Sequence, residues 1–157
     1  MARVTLALLC VVLSLLSGCA SSKLTKLDLT LTASEQVNPD LHGRPSPIVV
    51  RLIELRHPVA FENADFFSLY GRAEQTLPKD FVSSEELELS PGEQVMLKLS
   101  VEEGSRYVGV LAAYRDLPRA QWRFVLALPS QRLTRVGLVL DQAGIRLVNP
   151  DAAKAGE

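Results

Sequence analysis

Leu27-Asp28-Leu29-Thr30-Leu31-Thr32 alternates apolar and polar residues without a break. A two-residue period puts the leucines on one face of an extended chain and Asp28, Thr30 and Thr32 on the other, which predicts a half-buried β-strand. Working outward, Pro47–Leu55 reads as a second strand. It is nearly continuous in Ile48-Val49-Val50, which predicts burial on both faces, and then alternates until His57-Pro58 ends it. Further strands are predicted at Glu86–Leu89, at Val95, Leu97, Leu99 and Val101, at Tyr107–Tyr114, Trp122–Leu128, Leu133–Leu140 and Ile145–Val148. Pro91-Gly92, Glu102–Ser105 and Asp141-Gln142-Ala143-Gly144 supply turns, and Gly109 inside a strand predicts a bulge or a close backbone approach. About eight short strands separated by roughly 8–12 residues predict a mainly β fold, a two-sheet β-sandwich.

One stretch has a different period. Phe61, Ala64, Asp65, Phe66, Phe67, Leu69 and Tyr70 recur at spacings of three to four residues, predicting a short helical insertion after the second strand, over about residues 59–81. Leu77 to Phe81 adds a further turn to it, and Glu62 and Asp65 near its start suit the positive end of a helix dipole. Its aromatic residues are at the spacing of a core-facing stripe and are expected to pack on the sheet.

The N-terminus carries a processing signal. Arg3 precedes the apolar run Val4–Leu16, which is too short for the ~20 residues of a membrane span. Leu16-Ser17-Gly18-Cys19 closes it and reads as a lipobox: small residues before a cysteine that takes a diacylglyceryl group. Cleavage is expected between Gly18 and Cys19, followed by acylation of the new α-amine. A single acyl chain gives only marginal binding, at roughly 0.8 kcal/mol per buried CH₂, whereas three give a lasting anchor. Ala20 follows the cysteine where inner-membrane lipoproteins usually carry Asp, so the expected location is the outer membrane, facing the periplasm. Ser21–Lys26 is a polar tether, and with Cys19 it reaches roughly 25 Å from the bilayer at 3.3–3.6 Å per residue. The expected organisation is thus signal 1–18, anchor and tether 19–26, sandwich 27–150 and a frayed tail 151–157.

Charge and cysteine usage exclude several classes. The chain has 17 basic and 18 acidic residues, a net charge of −1, and the signal removes only Arg3 from that count. This is no footprint for nucleic acid. Cys10 lies in the signal and Cys19 becomes a thioether, leaving no disulfide to form, so stability must come from packing. His42 and His57 stand in no ligand or triad pattern, and HExxH, CxxC, Walker and GxSxG motifs are absent. Glu85-Glu86 and Glu102-Glu103 are adjacent pairs whose side chains point to opposite faces of a strand. Arg115-Asp116 and Trp122-Arg123 read as strand-end ion pairs and a core indole. No enzyme, metal site or cofactor is expected beyond the covalent lipid on Cys19, and no small-molecule substrate.

The connection Ser34–Ser46 is the one unusual loop. At about 13 residues it exceeds the 2–5 usual between sheet strands, and loops of that length are often functional. Pro39 and Pro45 stiffen it, since each fixes φ and restricts the preceding residue. A stiff loop costs less entropy to order in a complex.

Several stretches in order resemble the type VI secretion outer-membrane lipoprotein family, called TssJ, SciN or VasD. They are Asn38-Pro39-Asp40, Gly43-Arg44-Pro45-Ser46-Pro47-Ile48-Val49-Val50-Arg51-Leu52 and Ala64-Asp65-Phe66-Phe67-Ser68-Leu69-Tyr70. Pro91-Gly92-Glu93, Tyr107-Val108-Gly109-Val110-Leu111-Ala112-Ala113-Tyr114-Arg115-Asp116 and Trp122-Arg123 follow. The resemblance runs from the lipobox to about Val148. It implies a transthyretin-like sandwich with an added helical element. It also implies a structural role, in which the lipoprotein binds the periplasmic C-terminal domain of TssM and, through it, the TssM/TssL membrane complex. The contacting element it implies is the first interstrand loop, here Gln36, Val37, Asn38, Pro39, Asp40, Leu41, His42, Gly43 and Arg44. Within it, Val37, Leu41 and Arg44 are the expected contacts, because exposed apolar groups and Arg dominate interfaces. Two other classes fit an anchored sandwich: a periplasmic ligand-binding lipoprotein and a pilotin-like assembly chaperone. The first would want exposed aromatics on one face, and aromatics make up only 6% of the chain.

Overall fold

The computed structural model describes residues 24–148. Eight strands form two four-stranded sheets. They are β1 (Lys26–Ala33), β2 (Ile48–Leu55), β3 (Phe81–Leu89), β4 (Gln94–Ser100), β5 (Tyr107–Ala112), β6 (Arg123–Ala127), β7 (Leu133–Leu140) and β8 (Ile145–Val148). One sheet has the order β4-β1-β7-β8 and the other β3-β2-β5-β6. All pairings are antiparallel except β1 with β7, where Leu29 stands beside Val136. The mainly β, two-sheet sandwich expected from the strand periods is the fold found.

The alternation in β1 is realised residue by residue. Leu27, Leu29, Leu31 and Ala33 are all buried, facing Val50, Leu52, Val108 and Val110 of the opposite sheet. This intersheet core lies wholly between Leu27 and Ile145. A second cluster covers the outer face of β2 and β5, where Ile53, Leu55 and Leu111 meet Phe61, Leu69, Ala73 and Leu77. That second layer buries the outer face of β2 at Ile53 and Leu55, whereas Val49, in the continuous start expected to be buried on both faces, is only half-buried.

The layer is the helical insertion, with boundaries narrower than expected. It comprises α1 (Val59–Asn63) and α2 (Phe66–Thr76), after which the chain enters β3 at Phe81 instead of Glu86. Phe81-Val82-Ser83-Ser84-Glu85 shows no strand alternation because it lies on an edge strand, and a register shift at Glu54/Leu55 sets Phe81 beside Leu55. Asp65 caps α2 by accepting the Ser68 N–H at 3.0 Å. Phe61 and Leu69 are fully buried, but Phe67 is 75% exposed, so the aromatic stripe is not wholly core. Phe66 instead turns back to stack on Tyr70 and to meet Trp122 edge-on, each at 5.4 Å.

Gly109 marks the close approach expected of it. A Cβ there would stand 2.7 Å from the Phe61 ring, so the glycine lets α1 settle directly on β5. Trp122 is half-buried between the two cores. The expected ion pairs around it are replaced by other bonds. The Arg123 guanidinium donates to the carbonyls of Phe61 and Ala64, at 3.1 and 2.8 Å, and Asp116 pairs with Arg119.

Candidate functional site

Strand direction divides the molecule into two poles. At one, the chain enters: the Val101 N–H donates to Thr25, and the Lys26 N–H to Arg132. The β4–β5 and β6–β7 connections lie at this pole. Here Glu54 accepts from the Glu102 N–H at 2.9 Å and from Ser105 Oγ at 2.8 Å. At the other pole lie the long loop 34–47, the turn at Pro91-Gly92, the β5–β6 connection and the Asp141–Gly144 turn. Gly92 N–H donates to Ala33, Ser34 N–H to Leu140, and Ala113 N–H to Val49. The eight residues of β1 separate the poles by roughly 26 Å at 3.3 Å per residue.

The loop is folded by its own bonds. Val37 is fully buried and joins the intersheet core, so it pegs the loop down; the expectation that it is an exposed apolar group is corrected. Its neighbour Asn38 is 4% exposed at a φ of +48°, a left-handed conformation that Asn tolerates better than most residues. The Asn38 Nδ2 donates to the Pro47 carbonyl at 2.9 Å, and its Oδ1 accepts the Arg115 N–H at 2.8 Å. Both ends of one buried amide therefore hold separate segments, the loop's exit and the β5–β6 connection.

Asp40 organises the tip. Its Oδ1 accepts the backbone N–H groups of His42 at 2.8 Å and Arg44 at 3.0 Å, and its Oδ2 accepts from Arg44 Nε at 2.8 Å. The main chain closes the same turn, Asp40 N–H to Arg44 and Gly43 N–H to Asp40. The Arg44 backbone and guanidinium bonds hold the Asp40 carboxyl below its ordinary value, aided by Arg115 nearby. Leu41 stands at the crest, with no part of its side chain covered. Arg44 beside it is three-quarters exposed. Gln36 and His42 are exposed and Pro39 is half-covered.

Gln121 and Gly144 join the two sheets at this pole. The Gln121 N–H donates to Ala143 and the Ile145 N–H to Gln121, both at 2.8 Å. Gly144 adopts a φ of +129°, and any Cβ there would overlap the Gln121 backbone. The loop platform is therefore braced from beneath.

The remaining surface offers little chemistry. A groove of about 380 Å³ runs along the outer face of the β4-β1-β7-β8 sheet, and its charged groups, Asp28 and Arg135, pair at 3.6 Å. Tyr114 is buried near Asp141, and burial first, then that charge, push its phenol up, so it stays protonated. Among the described residues, no group of His, Cys, Asp and Glu side chains is placed to hold a metal. No described helix is long and apolar enough to cross a membrane. Cys19 and the lipobox residues Leu16, Ser17 and Gly18 lie outside the described residues.

Comparison with known proteins bears on this geometry. No curated protein matches the sequence. Among solved structures, the chain is similar to the type VI secretion lipoprotein TssJ1 of Pseudomonas aeruginosa. The two are 38% identical, with a TM-score of 0.78 over 80% of this chain and 95% of that one. It is also similar to Serratia marcescens Lip, described as a membrane-bound component of the type VI secretion system. Here identity is 31% and the TM-score 0.74, over 80% of this chain and 97% of that one. A chain of a type VI membrane complex shares the fold at 24% identity and a TM-score of 0.70. Residues 25–147 match the family described as type VI secretion lipoprotein, VasD, EvfM, TssJ, VC_A0113, and the chain belongs to that family of lipoproteins.

Proposed function

We propose that this lipoprotein is a tether. Acyl chains on Cys19 hold it in the outer membrane, and its far pole grips the periplasmic C-terminal domain of TssM, so that the TssM/TssL complex is fixed to the envelope. The observation that carries this reading is the division of poles. The chain enters the sandwich beside Thr25 and Arg132, while the folded loop 34–47 projects at the opposite end of β1. A bridge needs its two attachments apart, and opposite poles of the sandwich are consistent with that. Nothing is catalysed in this reading; both ends only bind.

The test is calorimetric titration of the unacylated domain, residues 20–157, with the TssM C-terminal domain. Both hydrophobic cores lie within residues 27–145, so the domain keeps its packing without the lipid. A second titration uses a variant with Gln36–Arg44 replaced by Gly and Ser and its thermal midpoint checked. Binding by the first and none by the second is the expected pair of results. Retention of binding by the second moves the contact off the loop, and no binding by either refutes the tether.

A further inference from the structure

Resting on that tether reading, we infer that the docking surface is composite and assembled before binding. The loop supplies Leu41 and Arg44, the β5–β6 connection supplies Arg115, and the buried amide of Asn38 locks the two together. The partner it fits is a protein surface with an apolar socket bordered by carboxylates.

Three observations lead there. A leucine with its side chain wholly exposed, on a loop closed by a web of main-chain and carboxylate bonds, is a knob whose ordering cost is met in the free protein. Burying such a side chain in a socket ranks it among the dominant contacts of an interface. Close to it Arg115 carries a positive charge with no acidic partner among the described residues. The Asp40 carboxylate is taken up by Arg44 and the loop amides, whereas Arg44 is 75% exposed. Arg115 is exposed, acts on Asp40 from the neighbouring segment, and forms no ion pair among the described residues. Asn38 fixes the relation between the two segments by bonding Pro47 with one end of its amide and Arg115 with the other.

Asn38 is thus a positioning residue that touches no partner. Asn38→Gly keeps the positive φ but removes both bonds. Arg115→Gln removes the charge while its backbone N–H still holds Asn38, so the loop stays in place.

The experiment measures affinity of the full acylated chain in detergent for detergent-solubilised TssM, at two salt concentrations, with amide exchange at His42 and Gly43 followed in the free lipoprotein. Leu41→Ser is expected to weaken binding roughly tenfold or more with exchange unchanged. Arg115→Gln should weaken it about threefold to tenfold and reduce its salt dependence. Asn38→Gly should speed exchange at the tip and weaken binding roughly tenfold. Should Asn38→Gly fail to fold, Arg115→Gln and the charge reversal Arg115→Glu decide alone. Unsubstituted protein that binds, with Arg115→Gln and Arg115→Glu equally tight, overturns the composite surface and leaves the tether standing. Unsubstituted protein that does not bind removes both.

Discussion

Single side chains in this protein do the work that its cysteine-poor composition denies to disulfides. Asp40 gathers two backbone N–H groups and a guanidinium, and the Arg44 bonds hold its carboxyl below the ordinary value of 3.8. With the folded pKa depressed, the unfolded loop binds the proton more readily. The stabilisation is therefore present above the ordinary value and disappears as pH falls through the folded one. The Arg44 amide resonance should hold still down to about pH 4 and shift only below the ordinary carboxylate value. A transition centred above it would show that Asp40 does not close the tip. Gly109 is the second case. Adding a methyl group 2.7 Å from the fully buried Phe61 ring forces α1 off the sheet or the ring off its rotamer. Gly109→Ala should cost about 1–3 kcal/mol in denaturant unfolding and leave partner affinity unchanged.

At the scale of elements, the regular strands were legible and the irregular ones were not, for physical reasons. Leu27–Thr32 displays its period because one face is wholly buried and the other solvated. The first half of β3 hides its period, since an edge strand with Ser83, Ser84 and Glu85 needs no apolar face over its open side. The loop announced itself by length and prolines, but not which of its residues point out. Val37 and Leu41 are equally apolar in sequence, and only the fold sends one into the core and the other to the crest. Asn38 was legible as a member of the long loop; its bond to a segment 77 residues away was not. Arg123 was likewise read as a partner for acids, when it serves the backbone of another element. Its guanidinium takes the carbonyls of Phe61 and Ala64, at the end of α1, while lying over the Trp122 ring at 4.4 Å. A five-residue helix cannot hold itself together, so this side chain and Phe61 must dock it. Arg123→Ala should therefore lower stability by about 1–3 kcal/mol in chemical unfolding, against less than about 0.5 for the exposed Phe67→Ser. Equal effects would mean that α1 is held by its apolar contacts alone.

The sandwich has two unlike ends. Its intersheet core runs the length of the sandwich, and the bond between Gln121 and Ala143 ties the sheets at the loop pole. A lesion at one end should therefore leave the other end's function untouched, because sites roughly 26 Å apart with no shared partners act additively. Cys19→Ser tests the proposed anchor pole. The expected protein has the same thermal midpoint and the same affinity for the TssM domain in solution. It fractionates with soluble material, and the secretion complex is no longer retained at the outer membrane. The loop replacement over Gln36–Arg44 should give the mirror image: membrane-bound, folded and unable to capture TssM. Together the two variants separate anchorage from grip in a way that a ligand-binding lipoprotein would not, since its ligand would bind to both. A Cys19→Ser protein that still held the complex at the membrane and supported secretion in full would show that the lipid is dispensable, and with it the tether.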